Sequence, residues 1–129
     1  MKNFGILFFI LLGSSVLFCC TDSPKDSKQK SLDLMTTQTL GLAYLEEFKL
    51  DEAEKEFLKF IKLAPNEKLG YGNLGLAYLR MGKYPEAEKQ LLKALKIDSK
   101  DADIRLLLAT VYQMTVSYTH LTLPTIYSV

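Results

Sequence analysis

The sequence predicts an all-α fold, a tandem helix-turn-helix solenoid of about two and a half repeats. Three observations predict it. First, residues 34–67 and 68–101 are two copies of one unit: Leu40-Gly41-Leu42-Ala43-Tyr44-Leu45 recurs unchanged as Leu74-Gly75-Leu76-Ala77-Tyr78-Leu79, and Glu52-Ala53-Glu54-Lys55 as Glu86-Ala87-Glu88-Lys89. Second, apolar residues within each copy recur at helical spacing. Third, turn and cap residues punctuate both copies at matching places. A constant offset over this span means that each unit buries its apolar face against its neighbour.

The N-terminus precedes the repeats. Met1-Lys2-Asn3 leads into an apolar run from Phe4 to Phe18, shorter than the roughly 20 residues a bilayer span needs. Residues 1–19 therefore read as a secretory signal peptide, with an uncleaved anchor helix as the other reading. Leu17-Phe18-Cys19-Cys20 resembles a bacterial lipoprotein box, which implies cleavage before Cys20 and a lipid on it. Choosing Cys19 would place bulky Phe18 at the cut. Adjacent cysteines do not staple a fold, and no CxxC is present. Residues 20–33 then read as the lipidated cysteine and a flexible polar tether, because Thr21 to Ser31 holds no apolar side chain.

In the first unit, Leu40, Ala43, Tyr44 and Phe48 give one helix a buried face. Lys49-Leu50 breaks the chain, and Asp51 with Glu54 forms an acidic capping box for a second helix. Ala53, Phe57, Phe60, Ile61 and Ala64 make its stripe, and Pro65-Asn66 ends it.

The second unit repeats this with Leu74, Ala77, Tyr78 and Met81, then Gly82 for the turn and Pro85 in the next first turn. Ala87, Leu91, Ala94 and Leu95 follow, and Ser99 or Asp101 can cap the next helix. Residues 102–114 read as the first helix of a truncated third unit, ending near Met114. Residues 115–129 resemble translated sequencing-adapter sequence and are expected to be non-native; a genuine β-rich tail is the alternative. Two and a half units bury little core, so an added second-type helix is expected to raise the melting temperature.

Leu40, Gly41, Tyr44, Ala53, Phe57 and Pro65 in the first unit, and Tyr71, Leu74, Gly75, Tyr78, Ala87 and Ala94 in the second, carry the signature residue types of the tetratricopeptide repeat, which the units resemble. Leu108, Ala109 and Tyr112 continue it; Thr37, Phe60, Leu91 and Ser99 depart from it. Small residues Gly41, Gly75 and Ala109 are expected where the helices of a unit cross, facing Ala53 and Ala87, and the tyrosines as core wedges. The resemblance implies a concave partner groove built from first helices. Its positions here include Met35, Gln38, Thr39, Leu42, Leu45 and Glu46, then Leu69, Gly72, Asn73, Leu76, Leu79 and Arg80, then Asp103, Leu106, Leu107 and Thr110. Packing against another repeat is the other reading of those leucines. Some relatives clamp a chaperone's C-terminal carboxylate with Lys, Asn and Arg. Only Asn73 matches; the other clamp positions carry Gln38, Leu42, Asp103 and Leu107.

Sixteen basic and fifteen acidic residues leave a formal charge of +1, so no basic excess points to nucleic acid. The single histidine, His120, lies in the suspect tail. No phosphate loop or metal-ligand spacing is visible, and no catalytic residue, cofactor or metal is expected. The expected function is protein–protein scaffolding by a lipid-anchored, periplasm-facing protein of a bacterial envelope. Its partner would be another protein or peptide segment, amphipathic or apolar, with the membrane reached through the lipid. Alternatives are an accessory region of a longer enzyme, or a self-associating structural module.

Overall fold

A computed structural model describes residues 24–121; the expected signal peptide, Cys20 and residues 122–129 lie outside them. Five helices follow one another: α1 (Pro24–Glu46), α2 (Leu50–Leu63), α3 (Lys68–Arg80), α4 (Tyr84–Ile97) and α5 (Ala102–Leu121). They pair as α1 with α2 and α3 with α4, and α5 opens a third unit against α4. Helix α3 touches every other described helix. The first helices α1, α3 and α5 touch in sequence, whereas α2 and α4 make no mutual contact. The array therefore curves, with α1, α3 and α5 as the inner layer.

Two buried clusters hold the stack. Leu45, Ala53, Phe57, Leu74 and Ala77 join α1, α2 and α3, and Ala87, Leu91, Ala94, Ile104 and Val111 join α4 to α5. The stripe expected on α2 is observed, with Ala53, Phe57 and Phe60 buried. The stripe on α1 needs correction. Leu40 and Phe48 are exposed, and α1 buries Thr37, Gly41 and Leu45 instead. Leu74, the counterpart of Leu40, is 1% exposed because α2 covers it; no described helix covers that face of α1. The Thr37 hydroxyl is satisfied within its own helix, donating to the Asp33 and Leu34 carbonyls at 2.9 and 3.0 Å.

Gly41 and Gly75 make room mainly for larger side chains, although the Ala87 carbonyl also stands 3.5 Å from a Cβ on Gly75. A Cβ on Gly41 would come 2.8 Å from Phe57 Cδ1 and Cζ, and one on Gly75 would come 2.7 Å from Leu91 Cγ and Cδ2. The phenylalanine and leucine fill the crossings, and the alanines let α2 and α4 approach their neighbours.

Both helix ends differ from expectation. Residues 24–33 are helical rather than a flexible tether. Pro24 is pre-set for a first turn, Asp26 suits the positive end of the helix, and Gln29 Nε2 donates to Asp33 Oδ1 one turn on, at 2.8 Å. Helix α5 passes Met114 and runs to Leu121, with the Thr115 and Ser117 hydroxyls donating to carbonyls four residues back. Helix α2 begins at Leu50 with Lys49 at the cap, so Asp51 sits in the first turn and makes no cap. The backbone N–H of Ile104 donates to Asp101 Oδ1 at 3.0 Å, so Asp101 caps α5.

Candidate protein-interaction groove

The inner layer draws its side chains from α1, α3 and α5. Met35, Leu42, Leu69 and Leu106 are 65%, 38%, 45% and 68% exposed, an apolar row with no protein covering it. Thr39 and Glu46 are exposed, and Gln38 and Asn73 are half-buried beside the leucines. Long apolar side chains in water, arranged on neighbouring helices, favour an apolar partner.

Several expected groove residues lie elsewhere. Leu45 is 2% exposed and belongs to the core, because it follows buried Gly41 by one turn and meets α2 and α3. Gly72 is buried against Ile104, where α3 and α5 approach closely. Leu76 and Leu79 are half-buried and pack against the two core clusters, so they form the groove floor. Arg80 Nη1 donates to the Leu45 carbonyl at 2.7 Å, and its guanidinium lies 6.0 Å from the Phe48 ring centre. The one cation among these positions is thus committed to the fold. Asp103 and Leu106 are exposed, and Leu107 and Thr110 are half-buried, on α5.

Two polar clasps escaped sequence reasoning. Tyr78 Oη donates to Glu54 Oε1 at 2.8 Å, and Tyr112 Oη to Glu88 Oε1 at 2.8 Å. Each bond spans 24 residues and ties a first helix to the second helix of the unit before it. The signal was available, since both pairs recur at the repeat offset. Burial first, then the Glu54 carboxylate, pushes the Tyr78 phenol up to about 12, and the Glu88 hydrogen bond raises that of Tyr112. Lys68, at the start of α3, reaches the loop between α4 and α5, with Nζ 2.6 Å from Asp98 Oδ2 and 2.6 Å from Asp101 Oδ2. Hydrogen bonds to Asp101 and Asp98 hold the ammonium well above the usual lysine range. The same bonds lower both carboxyls.

A cleft of about 490 Å³ also opens between α1 and α2, lined by Asp33, Thr36 and Leu40 and by Lys59, Lys62 and Leu63. Among the described residues, no cluster of three or more His, Cys, Asp or Glu side chains could hold a metal ion, and no helix is long and apolar enough to cross a membrane.

Stacked helix pairs with an open inner layer define a helical-repeat solenoid. Its units match models of the tetratricopeptide repeat: one described as TPR repeat over residues 75–115, and two described as tetratricopeptide repeat over residues 56–89 and 38–67. Solved structures share the fold. The Arabidopsis OM64 TPR domain is 23% identical with a TM-score of 0.65, over 70% of this chain and 74% of that one. The TPR2B domain of yeast Sti1, in its pHsp70 complex, is 24% identical with a TM-score of 0.64, over 69% and 71%. The second TPR domain of human RPAP3, in complex with the HSP70 peptide SGPTIEEVD, is 21% identical with a TM-score of 0.63, over 70% and 76%. No curated protein matches the sequence.

Proposed function

We propose that this chain is a lipid-anchored interaction scaffold of a bacterial cell envelope, facing the periplasm, and that its inner groove holds an apolar or amphipathic segment of another protein. The observation that carries the reading is the uncovered row Met35, Leu42, Leu69 and Leu106 on the inner layer. An amphipathic helix laid across such a row buries its apolar face and leaves its polar face to the groove rim. Solved neighbours of the same fold hold chaperone peptides, which supports a peptide-sized ligand. The ligand class differs here. The clamp positions Gln38, Leu42, Asp103 and Leu107 carry no cation, and Arg80 is bonded to the backbone. A free C-terminal carboxylate would find no charge to meet it. The anchor rests on the sequence alone, on the apolar run before Cys20.

The test places a photo-crosslinking residue at Leu42 or Leu69 on the inner layer, or at Lys55 on the outer side, in cells making the full chain. A defined adduct from the inner positions, lost when Leu106→Asp is added, supports the reading. Equal adducts from both sides would end it. A metabolic lipid probe that labels Cys20→Ala as strongly as the natural chain would remove the anchor.

A further inference from the structure

The outer faces of α2 and α4 carry the same side chains in the same order. Lys55, Leu58, Lys59 and Lys62 on α2 recur as Lys89, Leu92, Lys93 and Lys96 on α4. Spacings of three, four and seven place each set on one stripe of its helix. That stripe stands opposite the buried rows Ala53-Phe57-Phe60 and Ala87-Leu91-Ala94. The six lysines are exposed, and Leu58 and Leu92 are each 40% exposed.

The acidic side chains of these helices are mostly directed elsewhere. Glu54 and Glu88 accept from Tyr78 and Tyr112. Glu56 pairs with Lys59, but α4 has Gln90 in its place; Asp51, at the foot of the α2 stripe, has Pro85 as its counterpart. From Lys89 to Lys96 the α4 stripe is therefore basic, and exposed Glu86 stands one turn before it as Glu52 does on α2. Lys93 lies 5.6 Å above the Tyr71 ring and remains exposed. Leucines set among lysines with long apolar stems suit the boundary of a bilayer, where the stems lie along acyl chains and the ammoniums reach lipid phosphates.

We propose that this outer face rests on an anionic phospholipid surface, so that the inner groove points away from the bilayer toward its partner. The proposal deepens the membrane-anchored reading and rests on it. Charge complementarity selects this occupant: the chain is nearly neutral overall at +1, whereas the α4 stripe presents Lys89, Lys93 and Lys96 with Glu86 as its one acid, and exposed leucines among the lysines fit a lipid boundary better than a wholly aqueous polyanion. Lys25, Lys28 and Lys30 add exposed charge to the start of α1, immediately after the segment that carries Cys20. Attachment through that segment holds the stripes close to the surface, so weak individual contacts suffice.

The experiment reconstitutes the full chain on vesicles of phosphatidylcholine alone, or doped with phosphatidylglycerol. A fluorophore sits at Gln90 beside the α4 stripe, or at Leu42 in the groove, and a headgroup spin label quenches it. The expected result is quenching at Gln90 but not Leu42 on the anionic vesicles, reversed by salt and absent on the neutral ones. Lys89→Gln, Lys93→Gln and Lys96→Gln together should bring it down to the neutral-vesicle level, with helicity unchanged. Equal quenching at both positions, or no response to phosphatidylglycerol, overturns the proposal. A chain that fails to float with neutral vesicles defeats the anchor instead, and its flotation with anionic ones still decides the outer face.

Discussion

Phe48 and Gly82 occupy the same turn of successive units, and both have a left-handed backbone, with φ of 57° and 73°. Glycine enters that region without strain; phenylalanine does so against its Cβ, at about 1–2 kcal/mol. A Cβ on Gly82 would meet nothing within 4 Å, so the two sites differ in strain rather than in space. Gly82→Ala should therefore destabilise the fold by about 1 kcal/mol. Phe48→Gly should stabilise it by about 0.5–1 kcal/mol, less the weak Arg80 contact. Urea unfolding of both variants checks the opposite signs.

The helix glycines should split in the same way. Gly75→Ala drives a methyl to 2.7 Å from buried Leu91 and should destabilise by about 1–3 kcal/mol. Gly72→Ala places its methyl 3.7 Å from Ile104, an ordinary contact. It should gain about 0.5–1 kcal/mol, because alanine restricts the unfolded chain more than glycine does. Thermal melts of the two variants should move in opposite directions.

Removing the Tyr78 hydroxyl tests the clasp. Tyr78→Phe leaves the half-buried Glu54 without this donor and should destabilise by about 1 kcal/mol. The Tyr78 phenol is raised from 10.0 to about 12 in the folded state. Its contribution is complete below pH 10 and is lost as pH rises from there toward 12. Ultraviolet titration should show a tyrosine ionising near 12 that disappears in Tyr78→Phe, while the raised Tyr112 remains.

Acid should act on the Lys68 bridge. Asp98 and Asp101 are held below their ordinary 3.8 by Lys68 first, then by the backbone N–H groups of Lys100 and Ile104 respectively. Depressed carboxyls contribute stability above 3.8 that falls away as pH drops through their folded values. Lys68→Met should flatten the acid limb of a stability-against-pH curve while leaving helicity at neutral pH intact.

The period, the pairing of helices and the α2 and α4 stripes were legible in the sequence, because each depends on residues within one unit. The buried face of α1 was not. Leu40 and Leu74 are the same residue in the same unit position, yet one is 41% exposed and the other 1%. Periodicity reports which face is apolar; it does not report whether another helix stands there. Leu45 and Leu79 show the same limit, one core and the other floor of the groove. The helical start at Pro24 was hidden by polar composition, which Lys and Gln share between loops and exposed helices.

Helix α3 abuts all four of its companions, whereas among the described helices α1 and α5 have neighbours on one side only. Fraying at α1 or α5 can then remain local, while melting of α3 removes the shared wall of every remaining pair. Helix α3 acts as a keystone: the outer described helices can yield to whatever they hold without bringing down the arch.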